Sequence, residues 1–234
     1  MENCLFGCCT NPTMVQGPPP KERSSATDPL HPAFLEIPSV EGQLGFSMCP
    51  GRNKLKMQHT WRRSLAADVT VLKEQYNVNT VVTLMQEQEI EKDVLGNLAV
   101  QVKSRDMQHI AYGIRDKWLP PSSESFSQLC HTVAAQVKEG KTVLVHCNGG
   151  KGRSAMTCAC IYIVLTGASS TDALKAVRTA CPDCFKNPLQ QLYMWSIRSR
   201  LVVPPETAPP EETAEEPLVV PRQTTEQPSV EDES

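Results

Sequence analysis

Val143-Leu-Val-His-Cys-Asn-Gly-Gly-Lys-Gly-Arg-Ser154 decides how the chain folds. Thr142–Val145 reads as a buried strand, glycines stand at 149, 150 and 152, and Ala155–Leu165 reads as a helix. A strand that enters a glycine-rich loop and leaves as a helix builds an anion site. Glycines let successive N–H groups turn inward, and the helix N-terminus adds its positive end. Asn148, Gly149, Gly150, Lys151 and Gly152 are therefore the candidate anion-binding residues, bracketed by Cys147 and Arg153 with five residues between them. A thiol at a helix N-terminus beside a guanidinium is expected to ionise near neutral pH and become a nucleophile. The planar fork of Arg153 holds two phosphate oxygens at once and stays charged.

Three nucleotide-binding readings compete for the same loop. A Walker loop needs Ser or Thr after its lysine, and Gly152 follows Lys151. Gly150-x-Gly152-x-x-Ala155 fits a dinucleotide fingerprint, with Asp172 as the later acid, but Ser170-Thr171-Asp172 reads as a helix start, where an acid caps. A kinase loop lacks its partner lysine and catalytic loop.

Outward from this stretch, β-rich and helical runs alternate. Leu44–Met48, Thr80–Leu84, Val100–Val102 and Ile110–Ile114 predict strands; Ser64–Tyr76, Gln86–Leu95, Phe126–Val137, Thr171–Thr179 and Leu189–Leu201 predict helices. Strands separated by helices imply an α/β fold, a single domain with a mostly parallel central sheet flanked by helices.

The 234 residues are 40% apolar and 21% charged with net charge −3, which excludes collagenous, wholly disordered and strongly basic, nucleic-acid-binding classes. Six of the 19 prolines lie in 1–33 and seven in 204–234, where nine acids face the single base Arg222. Both ends are expected to be disordered tails, the second acidic and Pro-rich, around a domain at 34–203. That domain holds 20 Lys/Arg against 14 Asp/Glu, a cationic body suited to an anionic substrate. The best apolar stretch, Ala155 to Gly167, is too short to span a membrane. No secretory signal is read at the N-terminus, so the ten cysteines are expected to be reduced, in the cytoplasm or nucleus. Membrane association would come only through acylation of Cys4, Cys8 or Cys9, since Glu2 removes the myristoylation signal.

His146-Cys147-x5-Arg153-Ser154 resembles the signature of the cysteine-dependent protein phosphatases, and Gly149-Gly150-x-Gly152-Arg153-Ser154 is similar to the kinase-associated dual-specificity subgroup. The likeness extends over Gly45-Phe46 to Pro50-Gly51, lysines 54 and 56, Val81–Leu84 with Glu89-Ile90, and Ile114-x-Asp116. It implies a phosphatase domain that needs no cofactor or metal. Cys147 would attack phosphorus and form a phosphocysteine, Arg153 and the loop N–H groups would hold the equatorial oxygens, Ser154 would ease thiolate departure, and His146 would orient the loop. Asp116 would protonate the leaving oxygen, with Asp106 as the fallback. Gln191 is either the family glutamine that positions the hydrolytic water or a polar face of the last helix.

The resemblance implies a phosphoprotein substrate bearing phosphotyrosine or phosphoserine/phosphothreonine, with a kinase of the cyclin-dependent type as candidate partner. A phosphoinositide phosphatase is the alternative, because Lys151 stands where lipid phosphatases of the superfamily carry a lysine, although Asn148 replaces their second one. A non-enzymatic phosphate-binding scaffold would survive Cys147→Ser. Cys181 and Cys184 have zinc-ligand spacing without a second pair, and Cys181 stands where relatives carry a further basic residue after the equivalent of Arg178. Trp61, Trp118 and Trp195 read as packing residues, with Trp118 also able to line a pocket mouth.

Overall fold

The computed structural model describes residues 21–55, 59–92 and 96–202. In chain order they form β1 (Lys21–Ser24), β2 (Ala33–Phe34), β3 (Gln43–Met48), β4 (Asn53–Leu55), β5 (His59–Arg62), α1 (Leu65–Glu74), β6 (Thr80–Thr83) and α2 (Glu87–Lys92). There follow α3 (Leu98–Lys103), β7 (Gln108–Ala111), α4 (Ser123–Lys138), β8 (Thr142–Cys147), α5 (Arg153–Thr166), α6 (Ser170–Ala180) and α7 (Pro188–Val202).

Five strands make the central sheet in the order β2-β3-β8-β6-β7, parallel except for β2. β8 lies in the middle, fully buried, with Met48 beside Cys147 on one flank and Thr83 beside His146 on the other. Its alternating side chains feed two cores. Val143 and Val145 pack with Phe126, Val133, Ala159 and Met194 of α4, α5 and α7. Leu144 packs on the opposite face with Val69 and Leu72 of α1 and Leu98 and Val102 of α3. Helices on both faces of a mostly parallel sheet are the α/β architecture that the alternating runs imply. Among the described residues no helix is long and apolar enough to cross a membrane.

Three features differ from the sequence reading. Val100–Val102 is helical within α3, not extended, because Leu98 and Val102, four residues apart, reach one core while Val100 is 62% exposed. The ordered unit begins before residue 34: β1 pairs in parallel with β5, and β4 completes a separate three-stranded sheet. Leu30 is buried in the second core, so the upstream chain has an apolar anchor as well as strand partners. Lastly, Cys181 and Cys184 are joined as a disulfide, not reduced; their Cα atoms are 5.4 Å apart, within bonding reach. The acylation candidates Cys4, Cys8 and Cys9, the tail after residue 203, Lys56 and the end of the Gln86–Leu95 run lie outside the described residues.

Candidate active site

Loops that leave the carboxyl ends of β3, β7 and β8 converge on one cleft of about 590 Å3. Strand order departs from chain order on both sides of β8, which opens a crevice there. Cys147, the last residue of β8, is 3% exposed on the cleft floor. The loop turns at Gly150, where φ is +74° and an added Cβ would stand 2.6 Å from the Met48 backbone nitrogen; glycine alone fits. That turn brings the Gly150 N–H to 3.3 Å from Cys147 Sγ, as donor to the sulfur. Helix α5 then starts at Arg153 with Gly152 as N-cap and no side chain capping it, so its first N–H groups remain for an anion.

Arg153 is 1% exposed and its donors are nearly all committed. Nη1 donates to Glu89 Oε2 at 2.6 Å, Ile114 O at 2.7 Å and Leu84 O at 3.4 Å. Nη2 donates to Glu89 Oε1 at 3.0 Å and Asp116 Oδ1 at 2.9 Å. Among the described residues nothing accepts from Nε. Burial alone would lower the guanidinium pKa; the hydrogen bonds it donates to Glu89 and the charges of Cys147, Glu89 and Asp116 outweigh it and hold the group above its ordinary value. Glu89 Oε2 also accepts the Gln86 N–H at 3.2 Å, which fixes the carboxylate at the start of α2.

Beneath the loop His146 is fully buried, with Nε2 2.8 Å from Thr83 Oγ1, and the same hydroxyl lies 2.8 Å from His109 Nε2. Burial, then repulsion from His109, pushes the His146 pKa down to about 3, so its ring is neutral at physiological pH. Asn148 supports the turn from the other side, its carbonyl accepting the Cys49 N–H at 3.3 Å. The Lys151 carbonyl accepts the Phe185 N–H at 2.7 Å, which ties the loop to the segment carrying the Cys181–Cys184 bridge. Among the described residues no three His, Cys, Asp or Glu are grouped to hold a metal ion.

Cys147, Gly149, Lys151, Gly152, Arg153 and Asp116 all line the cleft. Asp106 turns the chain after α3 and does not. Ser154 Oγ is buried with no hydrogen-bond partner among the described residues. Gln191 turns away and donates to Phe185 O at 2.7 Å; its neighbour Gln190 is the glutamine in the cleft. Gln190 Nε2 donates to Trp118 O at 3.0 Å, while Oε1, buried and without a partner among the described residues, would be 3.1 Å from a Cβ at Gly152. A slip of one residue separates the two glutamines, and helical phase decides which faces inward. Trp61, read as a packing residue, also lines the cleft, whereas Trp118 contributes its carbonyl and leaves its ring exposed. Asp172 stands in the first turn of α6, its N–H donating to the Ser169 N-cap, a capping role and not a ribose contact. The role of Glu89 was missed, although the residue belongs to the resemblance. A carboxylate five residues past a strand signals nothing until its arginine is seen opposite.

A thiol, an anchored guanidinium and an acid around one anion-binding loop define a cysteine-dependent phosphatase. Residues 53–200 match the DSP-PTPase phosphatase domain of the Swiss Army Knife proteins, and the chain belongs to that family, as a phosphoric monoester hydrolase. It is 30% identical over 142 residues to the phosphatidylglycerophosphate phosphatase PTPMT1 of Arabidopsis thaliana, a match covering 56% of this chain and 40% of that protein's length. Its fold is similar to kinase-associated phosphatase, with TM-score 0.66 and 22% identity over 74% of this chain and 96% of the other. It is also similar to PTPMT1 in complex with PI(5)P, with TM-score 0.51 and 19% identity over 57% and 84% of the two chains.

Proposed function

We propose that the chain dephosphorylates phosphotyrosine and phosphoserine or phosphothreonine in proteins through a phosphocysteine intermediate. The observation that carries the reading is the setting of Arg153, whose fork is pre-oriented by Glu89 and which faces both Cys147 and Asp116. Substrate phosphate would take Nε and displace the Asp116 side chain from Nη2; Asp116, holding the proton that the second half-reaction leaves on it, would then turn to the leaving oxygen. Cys147 Sγ then forms the S–P bond as the P–O ester bond breaks, with the proton passing from Asp116 to the departing oxygen. In the second half a water attacks phosphorus, Asp116 takes its proton and the S–P bond breaks. Gln190 Oε1 would orient that water and the Ser154 hydroxyl would donate to the thiolate as it leaves, a reading supported by both atoms being buried without a hydrogen-bond partner among the described residues.

A protein kinase is the substrate to which the kinase-associated resemblance points. Lipid is the second reading, supported by Lys151 in the cleft lining and by the match to a phosphatidylglycerophosphate phosphatase. Parallel assays on phosphopeptides and short-chain phosphoinositides separate the two. The reaction itself is tested with an aryl phosphate in metal-free buffer. Cys147→Ser and Arg153→Ala are expected to show no turnover above background, and Asp116→Ala a loss of about 10²–10⁴ in rate. Full activity in Cys147→Ser would overturn the mechanism.

A further inference from the structure

Helix α7 has two unlike faces. Gln190, Met194, Ile197 and Leu201 are buried against the domain, whereas Leu189, Leu192 and Trp195 stand 39%, 65% and 42% exposed. Positions three apart are neighbours on a helix, so these three side chains form one apolar stripe. A contiguous stripe of large apolar groups in water marks a surface that something covers. It starts at the cleft. Asn187 and Gln190 line the cleft and donate to Lys117 O and Trp118 O, both at 3.0 Å, which holds the start of α7 beside the loop of Asp116. Charge along this face has one sign: α7 carries Arg198 and Arg200 and no acid, and the exposed Lys117 and Lys151 stand in the cleft lining next to it.

We propose that the segment covering this stripe is the chain's own Leu218-Val219-Val220, which docks on α7 and lays the acids that follow it across the mouth of the cleft. The proposal goes beyond the phosphatase reading and uses it only for one of its two readouts. Leu218-Val219-Val220 is the one run of three apolar residues in 203–234; five acids between 206 and 216 precede it and four between 226 and 233 follow it. Length permits the return. Leu189 to Val202 spans about 20 Å of helix, and residues 203–217 reach up to about 50 Å. Direction matters as well: the chain leaves α7 at the end far from the cleft, so a segment returning along the stripe carries residues 221–234 toward Asn187 and Lys117. A second copy docked here would set the α7 arginines against their own kind, whereas the acidic flanks of Leu218–Val220 complement them. An anionic lipid surface matches the charge but lacks the tether, which holds the segment at an effective concentration in the mM range. Substrate phosphate then meets carboxylates of like charge and has to displace them, so the tail acts as a competitive brake that raises KM and leaves kcat alone.

The test uses the whole chain and two readouts, the emission of Trp195, taken as the difference from Trp195→Phe, and the kinetics on a phosphotyrosine peptide. In Leu218→Ser with Val220→Ser, Trp195 emission is expected to move to longer wavelength as the indole returns to water, and KM to fall severalfold with kcat unchanged. Glu231→Gln with Asp232→Asn and Glu233→Gln is expected to lower KM likewise while the emission stays in place, which separates docking from the charge at the mouth. Leu192→Ser, on the stripe itself, is expected to lower KM as the Leu218 and Val220 changes do; those changes lie outside the domain and keep the test valid if Leu192→Ser folds poorly. Unchanged emission and KM in Leu218→Ser with Val220→Ser overturn the proposal. So does an emission shift that depends on protein concentration, which assigns the stripe to a second copy, or one that appears only with phosphatidylserine vesicles, which assigns it to a lipid surface. Absence of turnover in all of these proteins would strike the phosphatase reading instead, and Trp195 emission would still decide the docking.

Discussion

Arg153 owes its orientation to Glu89, 64 residues away in the chain. Glu89→Gln keeps the side-chain shape and removes the charge, so the buried guanidinium loses its two-pronged anionic partner and keeps only the backbone carbonyls and Asp116, which substrate displaces. Hydrogen bonds to charged groups are worth about 1.5–3 kcal/mol, which sets the expected fall in kcat/KM on an aryl phosphate at about 10–100-fold. An unchanged value would mean that Ile114 O and Leu84 O suffice to aim the group. His146 makes a second prediction, on stability. Its pKa falls from 6.5 in the unfolded chain to about 3 in the fold, and His109 moves down as well, by burial and the charge of Lys103. Below pH 6.5 the unfolded chain therefore takes up protons that the fold refuses. Stability is at its fullest above pH 6.5 and declines as pH falls toward 3. Urea unfolding across this range is expected to show the decline, with a shallower slope in His146→Asn; equal slopes in both proteins would contradict it.

Among the elements, the three-stranded sheet depends on one buried ion pair. Arg63 and Asp68 have side chains 0% and 1% exposed, and Arg63 also donates to Asp28 O at 2.5 Å, joining β5, α1 and the β1 turn. Asp68→Ala leaves a buried guanidinium and the Gly51 N–H without their acceptor. The expected cost is about 3–5 kcal/mol in chemical unfolding, and a loss under 1 kcal/mol would show that water reaches the site. Legibility follows the same division between near and far. Cys147, Arg153, Ser154 and the strand-to-helix turn could be read because twelve consecutive residues carry the whole device. Glu89, Gln190 and Arg52 could not, because each is brought to the site by the tertiary fold and not through neighbouring sequence. The small sheet escaped notice because its strands are short and its first one sits among prolines, where composition reads as tail. Val100 misled for the opposite reason: Val100 and Val102 are β-branched and suit a strand, while Leu98 and Val102 pack with Val69 and Leu72 of α1 as one face of a helix.

At the scale of the whole molecule, residues 34–203 carry a surplus of cations, and Arg52, Lys117, Lys151 and Arg153 among them line a cleft suited to an anion. Such a field raises encounter rates, and salt shortens its reach from about 30 Å at 0.01 M to about 8 Å at 0.15 M. The kcat/KM for a phosphopeptide is expected to fall severalfold across that range, mainly through KM; a flat profile would mean that the cations act by contact alone. The family match starts at residue 53, yet β3, the neighbour that hydrogen-bonds the nucleophile's own strand, ends at Met48, and β1 lies further upstream. A recombinant fragment trimmed to the match would strip one side of β8, bare its hydrogen-bonding edge and invite self-association. Expression intended to yield a working enzyme has to begin no later than Lys21.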